Sequence, residues 1–373
     1  CYEVGEGCPG LPGRGEGFTL TTNMPSYAAF LGHQPHISIT ELAAAIPGFT
    51  LKQRPERKVA IFDSAEPLKP EVLTILGGTV MLAEQLSNNA LELADIPKAL
   101  EKELDKVRGK KVTFSLRTVG LPYKEVRGLY KSCKERLRKG GRSSRYVGSD
   151  RKPAPSVLLH DAGLLDGSKG CELTVLVGEE LLWIGKTIAA QNIDAYTKRD
   201  MEKPVRDTTV GLLPPKLAQM MLNFGLWLAQ ENGNKSANKK KPMVTILDPF
   251  CGTGVIPMES LLRGWPVLAS DKAQKAVSGT TKNLDWIRKE AVKLRHGPGE
   301  KIAKKDVAST VWKQDVLKPF ALKNLPDVVV TETSLGSPLT GRPTQKDALK
   351  EKTANEALQE GFLRNAVETL PGV

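Results

Sequence analysis

The chain has 373 residues, 40% of them hydrophobic, which suffices for one to three globular domains. Its longest apolar runs, such as Leu42 to Phe49, fall far short of the ~20 residues that cross a bilayer, so no membrane span is expected. Fifty-four Lys and Arg against 42 Asp and Glu leave a formal charge of +12, which favours a polyanionic partner such as nucleic acid.

The five cysteines, Cys1, Cys8, Cys133, Cys171 and Cys251, form no CxxC pair, and the histidines, His33 and His36 among them, do not cluster with them. Neither a metal site nor a disulfide framework is expected, and a reducing cytoplasm fits best. Residues 1–23 are glycine-rich, start with Cys1 and show no apolar periodicity, so they are expected to be disordered.

In chain order, 24–105 reads as a small α+β unit. Strands are predicted at Tyr27–Leu31, Lys58–Asp63 and Thr79–Ala83, with a short helix over Pro70–Leu76. A longer helix is predicted over Ser38–Ile46, with Ser38 as N-cap and Glu41 as its capping-box partner. A second unit covers 106–190: a strand at Lys111–Leu116, a helix at Tyr123–Arg138 stopped by Gly140 and Gly141, and a strand near Tyr146. A hairpin of Leu173–Val177 with Leu181–Ile184 completes it. Residues 191–215 are polar, carry three prolines and read as a linker.

The last unit, 216–373, opens with an amphipathic helix at Lys216–Leu228 and a basic loop at Gly233–Lys241. Strands at Val244–Leu247, Val267–Ser270, Ser309–Trp312 and Asp327–Thr331 then alternate with helices at Val255–Leu262, Gln274–Lys289 and Ala348–Val367. That alternation predicts an α/β, Rossmann-like parallel sheet.

The string Asp248-Pro249-Phe250-Cys251-Gly252-Thr253-Gly254 lies between a strand and a helix, where a cofactor loop belongs. Gly252 and Gly254 allow a tight turn and close approach to a ligand. Asp271, ending the second strand, is placed to accept from ribose hydroxyls, and Asp315, after the third, from an adenine amine. Pro257 occupies the third glycine position of the dinucleotide fingerprint, and no Gly-Lys-Ser/Thr follows as in a P-loop. An acid ahead of the glycines suits a ligand with a sulfonium and an ammonium, which points to S-adenosyl-L-methionine (SAM).

The DPFCGTG string resembles motif I of class I RNA methyltransferases, above all those with a THUMP domain. The segment Gly211-Leu212-Leu213-Pro214-Pro215-Lys216-Leu217-Ala218-Gln219 resembles the entry to the catalytic domain of THUMP-domain tRNA guanine-N2 methyltransferases, and Arg199-Asp200 and Arg206-Asp207 resemble their connector. The resemblance implies a ferredoxin-like domain at 24–105, a THUMP-like RNA-binding domain at 106–190 and a methyltransferase domain at 216–373. It implies cofactor contacts from Asp248, Phe250, Gly252, Gly254, Asp271 and Asp315. The family's fourth-strand Asp-Pro-Pro-Tyr-like string is replaced by Thr331-Glu332-Thr333-Ser334-Leu335-Gly336, which leaves Glu332 as the catalytic carboxylate. A family sheet has seven strands; only four follow Val244, so an incomplete sheet, truncated at its C-terminal side, is expected.

Between Lys124 and Arg145 nine Lys or Arg face two Glu. Lys131, Lys134, Arg138, Arg142 and Arg145 are expected to contact RNA phosphates. The activity implied is methylation of tRNA at a guanine exocyclic amine. A DNA amino-methyltransferase is one alternative, and an RNA-binding protein with an impaired methyltransferase domain is another.

Overall fold

The computed structural model describes residues 24–86, 92–149, 152–207, 211–233, 243–294, 307–336 and 341–373. Segment 1–23, expected to be disordered, and the basic loop expected after Gly233 lie outside the described residues.

The N-terminal half is built on strands β1 (Ser26–Leu31), β2 (Thr50–Glu56), β3 (Val59–Asp63), β4 (Thr79–Gln85), β5 (Lys111–Val119), β6 (Ser143–Tyr146), β7 (Gly170–Val177) and β8 (Leu182–Ala190). They form one mixed sheet in the order β2-β3-β1-β4-β8-β7-β5-β6. Tyr27 faces Phe62 across β1 and β3, and Met81 faces Ala190 across β4 and β8. The units read from sequence as 24–105 and 106–190 are therefore hydrogen-bonded into a single sheet at β4–β8. The β2 strand has no counterpart in the sequence reading. It is an edge strand with almost every residue exposed, so no apolar alternation marks it.

Helix α1 (Pro35–Ala45) starts earlier than the sequence suggested. Its N-cap is Gln34, with Pro35 in the first turn, where a missing N–H costs nothing. The Ser38 hydroxyl donates to the Gln34 carbonyl at 3.0 Å. Glu41 is fully buried and accepts from the Gly77 and Gly78 N–H groups, both at 2.8 Å. The expected Ser38–Glu41 capping box is thus absent, because a tertiary partner claims the carboxylate.

Helices α2 (Ile96–Leu104) and α3 (Tyr123–Lys139) cover one face of the sheet. Ile96, Leu100, Leu104, Cys133 and Leu137 pack there on Val112, Phe114, Leu116, Leu173 and Val175. The short helix α4 (Ser156–Asp161) adds Leu159 to a cluster with Met81, Val147 and Ala190. The linker expected at 191–215 contains a helix, α5 (Ile193–Met201), capped by Asn192, whose side chain accepts from Ala195 N–H at 2.9 Å. Its inward side chains include Tyr196 and Arg199, polar groups whose partners Gln219 and Glu259 lie on other elements, so hydrophobic periodicity could not reveal it.

The C-terminal half holds a second, fully parallel sheet of β9 (Ile246–Asp248), β10 (Val267–Asp271), β11 (Ser309–Lys313) and β12 (Val328–Val329). Their order is β11-β10-β9-β12. Helices α6 (Pro215–Glu231), α7 (Val255–Arg263) and α8 (Gln274–Leu294) bury one face around Leu222, Ile246, Met258, Val267, Leu284 and Val328. Helix α9 (Gln345–Thr369) packs Phe362 on the other, with Leu247, Val316 and Phe320. Helices on both faces of a parallel sheet make this the doubly wound, Rossmann-like arrangement read from the sequence. No helix among the described residues is long and apolar enough to cross a membrane.

Candidate cofactor site and basic surface

The site lies where β9, β10, β11 and β12 end, at the carboxyl edge of the parallel sheet. Asp248, the last residue of β9, is 2% exposed. Its Oδ1 accepts from the Thr331 hydroxyl at 2.6 Å and from Phe250 N–H at 3.3 Å. Burial pushes its carboxyl up to about 7, and the charges of Asp271 and Glu332 push the same way. Asp271 ends β10 and ties the glycine loop to its strand: Oδ2 accepts from Gly252 N–H at 3.1 Å and Oδ1 from Ala273 N–H at 2.8 Å.

The two loop glycines have different reasons. Gly252 has φ +51°, and a side chain there would meet nothing within 4 Å, so the backbone is open to a ligand. Gly254 has φ +84°, and a Cβ would stand 2.8 Å from the Thr280 side chain. That glycine admits α8 to the loop, and Thr280 then donates to Gly252 O at 2.8 Å. Phe250 packs edge-on against Phe362 of α9, with ring centroids 5.2 Å apart.

Asp315 follows β11, and Leu317 N–H, donating to its Oδ1 at 3.1 Å, holds the carboxyl below its ordinary range. Lys272 Nζ, 3.4 Å from its other oxygen, adds to that. Glu332 follows β12, is half-buried, and makes no hydrogen bond among the described residues; burial raises its carboxyl. Asp248, Asp271 and Glu332 are therefore brought together, while Asp315 stands at the end of the neighbouring strand with its own base. An acid-rich edge beside an open glycine backbone suits a ligand bearing positive charge and hydroxyl donors; a pyrophosphate would meet repulsion.

The sequence reading missed Thr280, Thr331 and Asn283. Thr280 and Asn283 are fully buried polar residues on a stripe of α8 shared with Val277 and Leu284. Polar side chains at apolar-stripe positions were the available signal.

The basic surface divides. Lys131, Lys134 and Arg138 are exposed at i, i+3 and i+7 of α3, on one face, and Arg127 four residues earlier extends it. Arg145 is exposed on β6. Arg142 is not a free cation: its guanidinium donates to the Leu104, Val107 and Gly109 carbonyls, the last two at 2.7 and 2.8 Å. It closes the loop after α2 and, with its guanidinium so committed, lines a cleft of about 510 Å³ together with Lys134, Arg138, Gly141, Ser143 and Ser144.

A parallel β11-β10-β9-β12 sheet, with a glycine loop after β9 and acids after its neighbours, defines a domain of the Rossmann-like class. Comparison with known proteins is more specific. A curated tRNA (guanine(10)-N2)-dimethyltransferase of Methanothermobacter thermautotrophicus is 39% identical over 93 residues, 23% of this chain and 24% of the relative. The match thus spans about a quarter of the relative's length. The crystal structure of TrmN from Thermus thermophilus aligns at a TM-score of 0.44 and 17% identity, over 93% of this chain and 86% of that one. NSun6 from Pyrococcus horikoshii, solved with SFG, aligns at a TM-score of 0.26 and 12% identity, over 93% and 73%. No protein-family profile matches the chain.

Proposed function

We propose that the chain is a SAM-dependent methyltransferase that modifies RNA, with tRNA as substrate and a guanine exocyclic amine as the target. The observation that carries this reading is the acid-lined edge of the parallel sheet: Asp248, Asp271 and Glu332 without a base among them, beside the open backbone at Gly252. The partial match to a tRNA guanine-N2 dimethyltransferase supports the substrate class.

Bound there, the cofactor supplies an electrophilic methyl group on a sulfonium. The residues present fit it. Asp271 has lone pairs left to accept from ribose hydroxyls, and Asp315 is placed on the adenine side. The carboxylate of Asp248 offsets a cationic ligand. Glu332, unpartnered and half-buried, accepts from the target amine and orients it, since that amine's lone pair is conjugated with its ring and needs alignment more than deprotonation. On the N-terminal sheet, read as a ferredoxin-like part at 24–105 and a THUMP-like part at 106–190, Lys131, Lys134, Arg138 and Arg145 engage phosphates.

One feature favours a second reading, an RNA-binding protein whose methyltransferase domain is impaired. The Thr331 hydroxyl is committed to Asp248, and no aromatic follows Glu332 to stack on a base. Mass spectrometry of tRNA nucleosides after incubation with labelled cofactor tests both readings. A labelled N2-methylguanosine is expected. Cofactor binding without any labelled nucleoside establishes the impaired reading, and preferential labelling of duplex DNA in competition with tRNA establishes a DNA enzyme.

A further inference from the structure

The connector between the two halves touches the glycine loop through one buried side chain. Asn283 of α8 is fully buried, and its three hydrogen bonds leave no donor unused. Its Oδ1 accepts from Val205 N–H at 2.9 Å. Its Nδ2 donates to Val205 O at 2.9 Å and to Thr253 O, inside the loop, at 2.8 Å. A two-bond clasp on the connector backbone and a third bond to the loop meet on one amide. A second contact runs beside it: Arg199 of α5 pairs with Glu259 of α7 at 2.8 Å, and Gly254 is the N-cap of α7. Val205 also packs over Gly279, where a Cβ would approach its Cγ1 to 3.0 Å.

We propose that the connector at Val205 is part of the cofactor site, with Asn283 as the positioning residue that holds the glycine loop in the shape that binds cofactor. The inference rests on the reading of that loop as a SAM site. Its physical basis is selective: an amide clamped at all its polar atoms fixes the Thr253 carbonyl, and with it the peptide that joins Thr253 to Gly254. Removing the amide leaves two half-buried carbonyls, one in the loop and one in the connector, and the Val205 N–H without this partner, while no side chain placed against the ligand changes.

Two variants of the full chain test it, with hydrogen exchange of the 250–254 amides and cofactor affinity by calorimetry as readouts. Asn283→Leu is expected to speed loop exchange and weaken SAM binding, each by about ten-fold or more, while exchange in β5 and β7 and RNA affinity stay unchanged. Turnover at saturating cofactor should stay within about two-fold, so the loss appears in KM. Val205→Pro keeps Asn283 but removes the N–H it accepts from together with the Val205 methyls over Gly279; loop exchange and affinity should change in the same direction by about three-fold. If Val205→Pro leaves both within about two-fold of the parent chain, the connector is not part of the site and the proposal fails. Uniformly faster exchange in Asn283→Leu, β5 and β7 included, overturns it too, because the residue then only stabilises the fold. A parent chain that binds no SAM overturns the functional reading instead, and the exchange comparison still judges the clamp.

Discussion

The two ends of α7 show how one protein treats buried charge in two ways. Behind the helix, against the N-terminal half, Glu41 and Glu259 are buried at 0% and 1% exposure, yet each has a guanidinium close by, Arg263 near Glu41 and Arg199 beside Glu259. Glu41 takes two backbone N–H groups and Asn223 Nδ2, the last at 2.7 Å. Asn223 Oδ1 accepts from Arg263 at 2.6 Å, and Arg263 also donates to the Ile75 and Gln219 carbonyls, both at 3.0 Å. Glu259 takes Arg199 and Gln219, while Gln219 Oε1 accepts from the Tyr196 hydroxyl. In front of the helix, Asp248 is equally buried, but its charged neighbours are Asp271 and Glu332. Charge that serves the fold is neutralised within the fold. Charge left unmatched at the end of a sheet marks a place where a ligand completes the balance.

The comparison breaks most visibly at the rear. Replacing Glu259 by Leu strands the Arg199 guanidinium in a buried site, and the expected loss is about 3–5 kcal/mol, read by urea unfolding. The front should respond with the opposite sign. The native carboxyl of Asp248 titrates at about 7, above its ordinary 3.8, so the native state favours its protonated form. The stability this gives is fully present below pH about 4 and is lost as pH rises through about 7. Asp248→Asn removes that loss. Its advantage over the parent should be absent at pH 4 and grow to at most about 4 kcal/mol by pH 8, while cofactor binding suffers. A variant no more stable at pH 8 than at pH 4 would show that Asp248 is compensated like Glu259.

A smaller effect is expected at Asp271. Asp271→Ala removes an acceptor for ligand hydroxyls and releases Gly252 N–H, and should weaken SAM binding by about ten-fold or more in calorimetry. The basic face of α3 sharpens the contrast further. Lys134→Ala with Arg138→Ala should flatten the log–log salt dependence of RNA binding by about two units and leave melting unchanged. Arg142→Ala should do the reverse: it strips three carbonyls of their donor and costs about 1–3 kcal/mol of stability, with little change in the salt slope.

Much of this was legible without coordinates. The strands of the parallel sheet, α7, and the positions of Asp248, Asp271 and Glu332 at or just after strand ends follow from apolar runs punctuated by glycine, because local backbone preference and periodicity are properties of neighbouring residues. The same is true of α3, whose apolar stripe and glycine stop are written in one short stretch. Tertiary structure alone decided the rest. It joined 24–105 and 106–190 through β4 and β8, strands about a hundred residues apart. It took Glu41 from a local cap to a distant pair of amides, turned a polar linker into α5 by giving Arg199 a partner, and committed Arg142 to three carbonyls while leaving Lys131 exposed. In each case the residue type allowed both outcomes. The choice depended on which donor or acceptor another part of the chain brought within 3 Å, and a polar group's partner is not encoded in its neighbours.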